Sequence, residues 1–415
     1  MSTATSVLIL GAGQAGLALS RALSHRGIDH VLLERGRVGE RWHSERWPGL
    51  HLLTPNWMNR LPGPWPEAEP DGFMSAAEFA ARLERYSAAI SAPVVTGCEV
   101  QSVARENGRF RVVAGGRQWF ARAVVIATGA CDRPAVPAWA STLPKKITQI
   151  VPTRYRGAER LPEGGVLIVG ASATGVQLAA EIQGSGRPVT LAVGRHVRAP
   201  RRYRGREVFE LLSQSGFLGS PRPADAHPAH LMTLPSLQLT GSGGGEALGL
   251  DRLQAVGVHL VGRALGAEGG VLRLDPALGA EIAAGERRRR KLLTLLETYL
   301  AETGSALPDD PGAWHAPDLP HAGPDRLDLT ARGIRTIVWA TGFRRAYPWL
   351  HLPVLGAAGE LETDRGVTAE PGLYALGLPF LRHRASAFIH GVGRDAEELA
   401  PHIAAGLRRG ISRAA

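Results

Sequence analysis

Two Rossmann-like α/β domains, one inserted into the other, are predicted by three observations. A short apolar run, a glycine turn, a helical stretch and a second apolar run follow one another over residues 6–34. The same succession returns over 166–193, and an Ala-Thr-Gly triplet closes a strand on either side of that second unit, at Ala127–Gly129 and Ala340–Gly342. Strand, turn, helix, strand in that order is a βαβ unit, and two such units imply two parallel sheets. A chain of 415 residues also exceeds what one hydrophobic core usually serves.

Ser6–Leu10 is the opening strand, Gly11-Ala-Gly-Gln-Ala-Gly16 the turn and helix start, His25 the end of the helix, and Ile28–Glu34 the second strand. Residues 39–75 carry Trp42, Trp47, Trp57 and Trp65 among prolines and glycines, which suits an ordered loop over a ligand. A helix is expected at Ser75–Ile90, then strands near Val94–Val103, Phe110–Ala114 and Trp119–Ala127. After a proline-containing linker over 133–164 come Val166–Val169, Gly170-Ala-Ser-Ala-Thr-Gly175, a helix to Gln183 and the strand Val189–Val193. Residues 219–285 stay open beyond a strand at Val258–Val261. A helix at Arg287–Thr303 follows, with the basic run Arg287–Lys291 as its solvated start, then strands at Ile334–Ala340 and Leu373–Leu376 and a helix from Arg394. Motif order assigns 1–150 and 326–415 to one domain and 151–325 to the inserted one.

Composition narrows the function. Hydrophobic residues are 44% and charged residues 21%, as in an ordinary globular protein. Lys plus Arg number 48 against 38 Asp plus Glu, a formal charge of +10 that favours anionic ligands. Neither zinc-finger spacing nor an aromatic RNA-binding pattern accompanies the charge, so no nucleic-acid partner is expected. Two cysteines, Cys98 and Cys131, are too far apart in sequence for a Cys-x-x-Cys redox pair. No metal-ligand spacing, secretory leader or membrane-length apolar span is read, and a cytoplasmic protein is expected. Oligomeric state is not legible.

The first glycine turn carries a specific chemistry. Gly11 permits the tight turn, Gly13 lets backbone approach a pyrophosphate, and Gly16 allows close helix-to-strand packing, with the helix amino end facing the phosphate. Glu34, at the end of the following strand, suits ribose hydroxyls, which together describe the adenosine half of FAD. In the second unit Ser172 replaces the middle glycine between Gly170 and Gly175, and Thr174 lies in the same turn. Arg195 stands where Glu34 stands in the first unit, with Arg198, Arg201 and Arg202 nearby. A guanidinium there binds a ribose 2′-phosphate, so the second cofactor is expected to be NADPH.

These motifs, with Gly39-Glu-Arg-Trp42, Val338-Trp-Ala-Thr-Gly-Phe343 and Gly372-Leu-Tyr-Ala-Leu-Gly377, make the chain resemble the two-dinucleotide-binding flavoprotein monooxygenases, the flavin-containing monooxygenases and Baeyer–Villiger enzymes, over nearly its whole length. The resemblance implies that NADPH reduces FAD, that O₂ adds at flavin C4a, and that the (hydro)peroxide oxygenates a small organic substrate. The chemistry is the flavin's, and the protein supplies orientation and a dry pocket. Expected cofactor contacts are Gln14, Arg35, Arg41, Trp42, Val100, Thr128, Gly129, Thr341, Gly342 and Gly377, besides the residues of the two turns. Asn56 is the candidate catalytic amide, with a turn role after Pro55 as the alternative. The tryptophan loop at 42–65 is the candidate wall, and the helix near Gly391–Glu397 is expected to aim its amino end at the flavin pyrimidine.

One departure bears on the reaction. The linker fingerprint Phe-x-Gly-x-x-x-His-x-x-x-Tyr/Trp survives only as Tyr155-Arg156, with Val151 at the histidine position. This favours N- or S-oxygenation over Baeyer–Villiger chemistry, and keeps open an NADPH oxidase or flavin-linked dehydrogenase that oxygenates nothing. A regulatory flavoprotein that senses NADPH is the third reading.

Overall fold

The computed structural model describes residues 2–223, 231 and 234–412. Strand β1 (Ser2–Leu10) lies between β2 (His30–Leu33) and β6 (Arg117–Ile126), parallel to both. Val7 to Leu10 are fully buried, as a strand covered on both faces must be. β3 (Val94–Val95) extends the parallel side, while β4 (Val100–Glu106) and β5 (Arg109–Ala114) add an antiparallel meander to β6. Leu373–Ala375 returns from far along the chain to pair with the end of β6. Helix α1 (Gln14–Ser24) and the C-terminal helix Ile389–Ser412 pack together, with Arg21 and Glu397 in contact at 2.8 Å.

The second sheet is wholly parallel, in the order His259–Val261, Val189–Ala192, Gly165–Val169, Ile334–Trp339, Thr148–Ile150. The Rossmann-like α/β class and the insertion are therefore as read from the sequence. The boundaries at 150/151 and 325/326 need correction. Thr148–Ile150 and Ile334–Trp339 are both strands of the inserted sheet, so the chain crosses within 127–147 and returns after Trp339. The two crossings run side by side: Arg133–Pro134 pairs with Phe343–Arg344, and Thr341 Oγ1 donates to the Ala135 carbonyl at 2.8 Å.

Two helices begin earlier than periodicity suggests, for a shared reason. The helix expected at Arg287–Thr303 spans Leu278–Glu302, and that expected from Arg394 starts at Ile389. Glycines near their starts read as helix breakers, yet they are places where another group must come close. A side chain at Gly285 would collide with the His196 ring, and one at Gly391 with the Ala385 carbonyl.

Candidate active site

A cleft of about 2380 Å³ is lined by both glycine turns. One small-molecule pocket is typically ~300–1,000 Å³, so this cleft has room for more than one ligand.

At its first end, Gly11 has φ +107° and a Cβ there would sit 2.7 Å from the Ala127 carbonyl oxygen, so glycine is required for the turn to lie against the end of β6. A Cβ at Gly16 would collide with the Gly11 carbonyl, which is why α1 can rise so close behind β1. By contrast, nothing lies within 4 Å of a Cβ at Gly13, the N-cap, and no side chain caps α1. Its first-turn N–H groups are available to an anion. Glu34 is buried and fixed by two main-chain donors, Ala12 N–H at 2.8 Å and Gly36 N–H at 3.0 Å, with its carboxylate on the cleft. Gln14 accepts from the Trp42 indole at 3.2 Å, and Trp42 stands edge-on to Phe79.

Arg35 and Arg41 reach the cleft but are committed to protein partners. Both contact Glu45, and Arg41 also binds Asp132 at 2.8 Å and the Cys131 carbonyl. Arg41 thereby ties the short helix Glu40–Ser44 to the turn that follows Thr128 and Gly129. Val100, Thr128, Gly129, Thr341, Gly342 and Gly377 line the same cleft. Gly377 has φ +76°, and a Cβ on it would stand 2.7 Å from Ala15, so this turn rests on α1.

The second end repeats the geometry. Gly170 has φ +110°, and side chains at Gly170 or Gly175 would meet the carbonyls of Ala340 and Gly170. Ser172 is the uncapped N-cap of the helix Ala173–Gly184, and Ser172 and Thr174 face the cleft. Of the arginines grouped with Arg195, the others serve the fold. Arg198 pairs with Asp251 at 3.1 Å, and buried Arg201 binds Glu207 at 3.0 Å and the Thr240 carbonyl at 2.8 Å. Arg202 reaches the Gly205 carbonyl at 3.4 Å. Arg195 itself lines the cleft, joined there by Arg263, Arg288 and Lys291.

The basic run Arg287–Lys291 is thus not a uniformly solvated helix start. Arg288 and Lys291, three residues apart on one helical face, turn to the cleft. Burial and the adjacent Arg195 lower the Arg288 pKa, and its Nη1 donates to the His196 carbonyl at 3.0 Å. Arg289 points inward, held by Glu286 at 2.9 Å and the His315 carbonyl at 2.7 Å.

The tryptophan loop divides. Trp42 and Trp47 line the cleft, whereas Trp65 packs on Phe79 and Tyr86, and Trp57 lies against His390. Asn56 is corrected too. It does not line the cleft, because its Nδ2 donates to the Glu69 carbonyl at 2.9 Å and its Oδ1 accepts from Met74 N–H at 3.0 Å. The turn role is what the geometry gives. The amide of this segment that does reach the cleft is buried Asn59, three residues on and oriented by the Thr54 hydroxyl at 2.6 Å and carbonyl at 2.7 Å. Asn56→Ala is expected to lower stability by about 1–2 kcal/mol without changing flavin reduction. Asn59→Ala is expected to change turnover; denaturant melts and stopped-flow absorbance separate the two effects.

Comparison with known proteins places these features. Residues 8–206 match the pyridine nucleotide-disulphide oxidoreductase family. An uncharacterized CzcO-like oxidoreductase of Geobacillus kaustophilus is 29% identical over 406 residues, covering 96% of this chain and 98% of that one. The flavin-containing monooxygenase of Stenotrophomonas maltophilia superposes with a TM-score of 0.65 at 22% identity, covering 97% of this chain and 99% of its own. OTEMO in complex with FAD and NADP gives 0.57 at 15% identity, with 99% and 87% covered. The fold is shared with two-dinucleotide-binding flavoproteins, and the resemblance read from the sequence stands.

Proposed function

We propose that this chain is an FAD-dependent monooxygenase that uses NADPH and O₂ to oxygenate a small organic substrate, at nitrogen or sulfur ahead of Baeyer–Villiger chemistry. The observation that carries the proposal is the cleft whose two glycine-turn cradles have opposite charge beside them, Glu34 at one and Arg195, Arg263, Arg288 and Lys291 at the other. The residues fit the two cofactors: Gly13 leaves space at an uncapped helix start, and the second cradle repeats that arrangement. The family match and the folds of the flavin monooxygenases support the same reading.

In this reading α1 N–H groups would bind the FAD pyrophosphate and Glu34 would accept hydrogen bonds from ribose hydroxyls, while the helix Ala173–Gly184 and the basic cluster would hold NADPH by its pyrophosphate and 2′-phosphate. When bound, FAD supplies the electron transfer and oxygen activation. Trp42 and Trp47 exclude water, Asn59, bound to Thr54 through both amide atoms, fixes the cleft wall, and the C-terminal helix opens on the cleft at Ile389, where its amino end stabilises negative charge. The FAD domain is assigned to 2–126 with 340–412, and the NADPH domain to 148–339. The described residues contain no helix long and apolar enough to cross a membrane. Free cysteines at 98 and 131 support a cytoplasmic placement.

Val151 at the histidine position of the linker fingerprint favours a second reading, an NADPH oxidase. Counting NADPH consumed, product oxygenated and H₂O₂ released by the FAD-loaded protein separates them. Product matching NADPH supports the monooxygenase; H₂O₂ matching NADPH with every substrate supports the oxidase.

A further inference from the structure

We infer that the substrate is an apolar or aromatic small molecule bearing one carboxylate, and that Arg384 is the residue that recognises it; this rests on the monooxygenase reading above. The cleft extends beyond the two cradles into an apolar end lined by Phe209, Leu212, Phe217, Leu292 and Phe388. Arg384 enters that end with its guanidinium 4.1 Å from the Phe217 ring centre and 4.9 Å from that of Phe380.

The four ion-paired arginines whose side chains are most deeply buried each hold a carboxylate. Arg201 has Glu207, Arg289 has Glu286, Arg345 has Glu360 and Arg382 has Glu398. Arg384 has none within ion-pairing distance among the described residues; its buried Nε, like those of Arg201 and Arg382, has no hydrogen-bond partner, so the missing carboxylate is what sets it apart. Burial alone lowers its pKa. Among the described residues, the carboxylates lining the cleft are Glu34, Glu40, Glu45, Glu99 and Asp132, all from the segment 34–132 around the first cradle. A partly desolvated cation stacked on aromatic rings is stabilised by them but left without a counter-charge. Its planar fork matches a carboxylate in two-point contact, and the surrounding rings match an apolar body. The cation therefore selects the head group and the rings select the tail.

The test uses FAD-loaded protein, calorimetric titration with 3-phenylpropionate, and its neutral isostere 3-phenylpropanamide. The wild type is expected to bind the acid about 10- to 100-fold more tightly than the amide, the range of a charge-assisted hydrogen bond. Arg384→Met keeps an apolar stem and should bind both alike, while Arg384→Lys should retain part of the preference. Both variants should keep their FAD content and their rate of flavin bleaching by NADPH, which shows that they fold and that the coenzyme does not use Arg384. Equal or absent binding of acid and amide by the wild type overturns the inference and leaves the monooxygenase reading standing. So does an Arg384→Met protein that keeps the acid preference but loses NADPH. Failure to take up FAD overturns both.

Discussion

A Gly13→Val protein will fold and carry no flavin, whereas Gly16→Val will not fold at all. The two glycines are three positions apart in one turn, yet they face opposite surroundings. Gly13 has φ −84°, a conformation open to any residue, and its Cβ direction meets nothing within 4 Å. A valine there projects into the space at the start of α1 where a pyrophosphate would rest, with its Cβ meeting no other part of the protein within 4 Å. At Gly16 the new Cβ collides with the Gly11 carbonyl, so α1 must lift from β1 and carry its own fully buried Leu17 and Leu19 out of the core. That displacement costs more than the ~1–3 kcal/mol of ordinary overpacking, out of a total stability of ~5–15 kcal/mol. Circular dichroism melts and flavin content after refolding with FAD give both answers.

Arg195→Glu will shift coenzyme use from NADPH toward NADH. A carboxylate facing a ribose 2′-phosphate replaces attraction with repulsion, and each charge-assisted bond is worth ~1.5–3 kcal/mol. We therefore expect kcat/KM for NADPH to fall by about 100-fold while that for NADH changes by only a few-fold. Arg288→Gln, acting from the neighbouring helix, should cause a smaller loss of the same kind. An unchanged NADPH/NADH ratio in both variants would contradict the assignment of this basic cluster.

The parts of the site that were legible are those fixed by local sterics. Gly11, Gly16, Gly170 and Gly175 announce themselves because no other residue permits a strand to turn that sharply into a helix packed upon it. Glu34 and Arg195 follow, since each lies one strand further on. The remaining basic residues were not legible, because Arg263, in the connection before the strand Ala264–Glu268, and Arg288, on the helix Leu278–Glu302, reach the cleft from distant parts of the sequence. Within Arg287–Lys291 the sequence shows five cations in a row, while the helix sorts them onto different faces, with Arg288 and Lys291 toward the cleft and Arg289 into the interior. Asn56 and Asn59 illustrate the same limit in a loop. Which amide lines the cleft depends on how residues 69–74 fold back over the segment, and local pattern does not encode that return. Arg384 is legible only once the rings of sequence-distant Phe217 and of Phe380 are seen against it.

The central claim is that this chain holds FAD and a phosphorylated nicotinamide coenzyme in one cleft, each on its own glycine turn. Anaerobic titration of the FAD-loaded protein with NADPH, followed by flavin absorbance, tests it most directly. The account predicts full bleaching with one NADPH per flavin, and much slower bleaching with NADH. A protein that takes up no FAD, or a bound flavin that NADPH leaves oxidised, would contradict it.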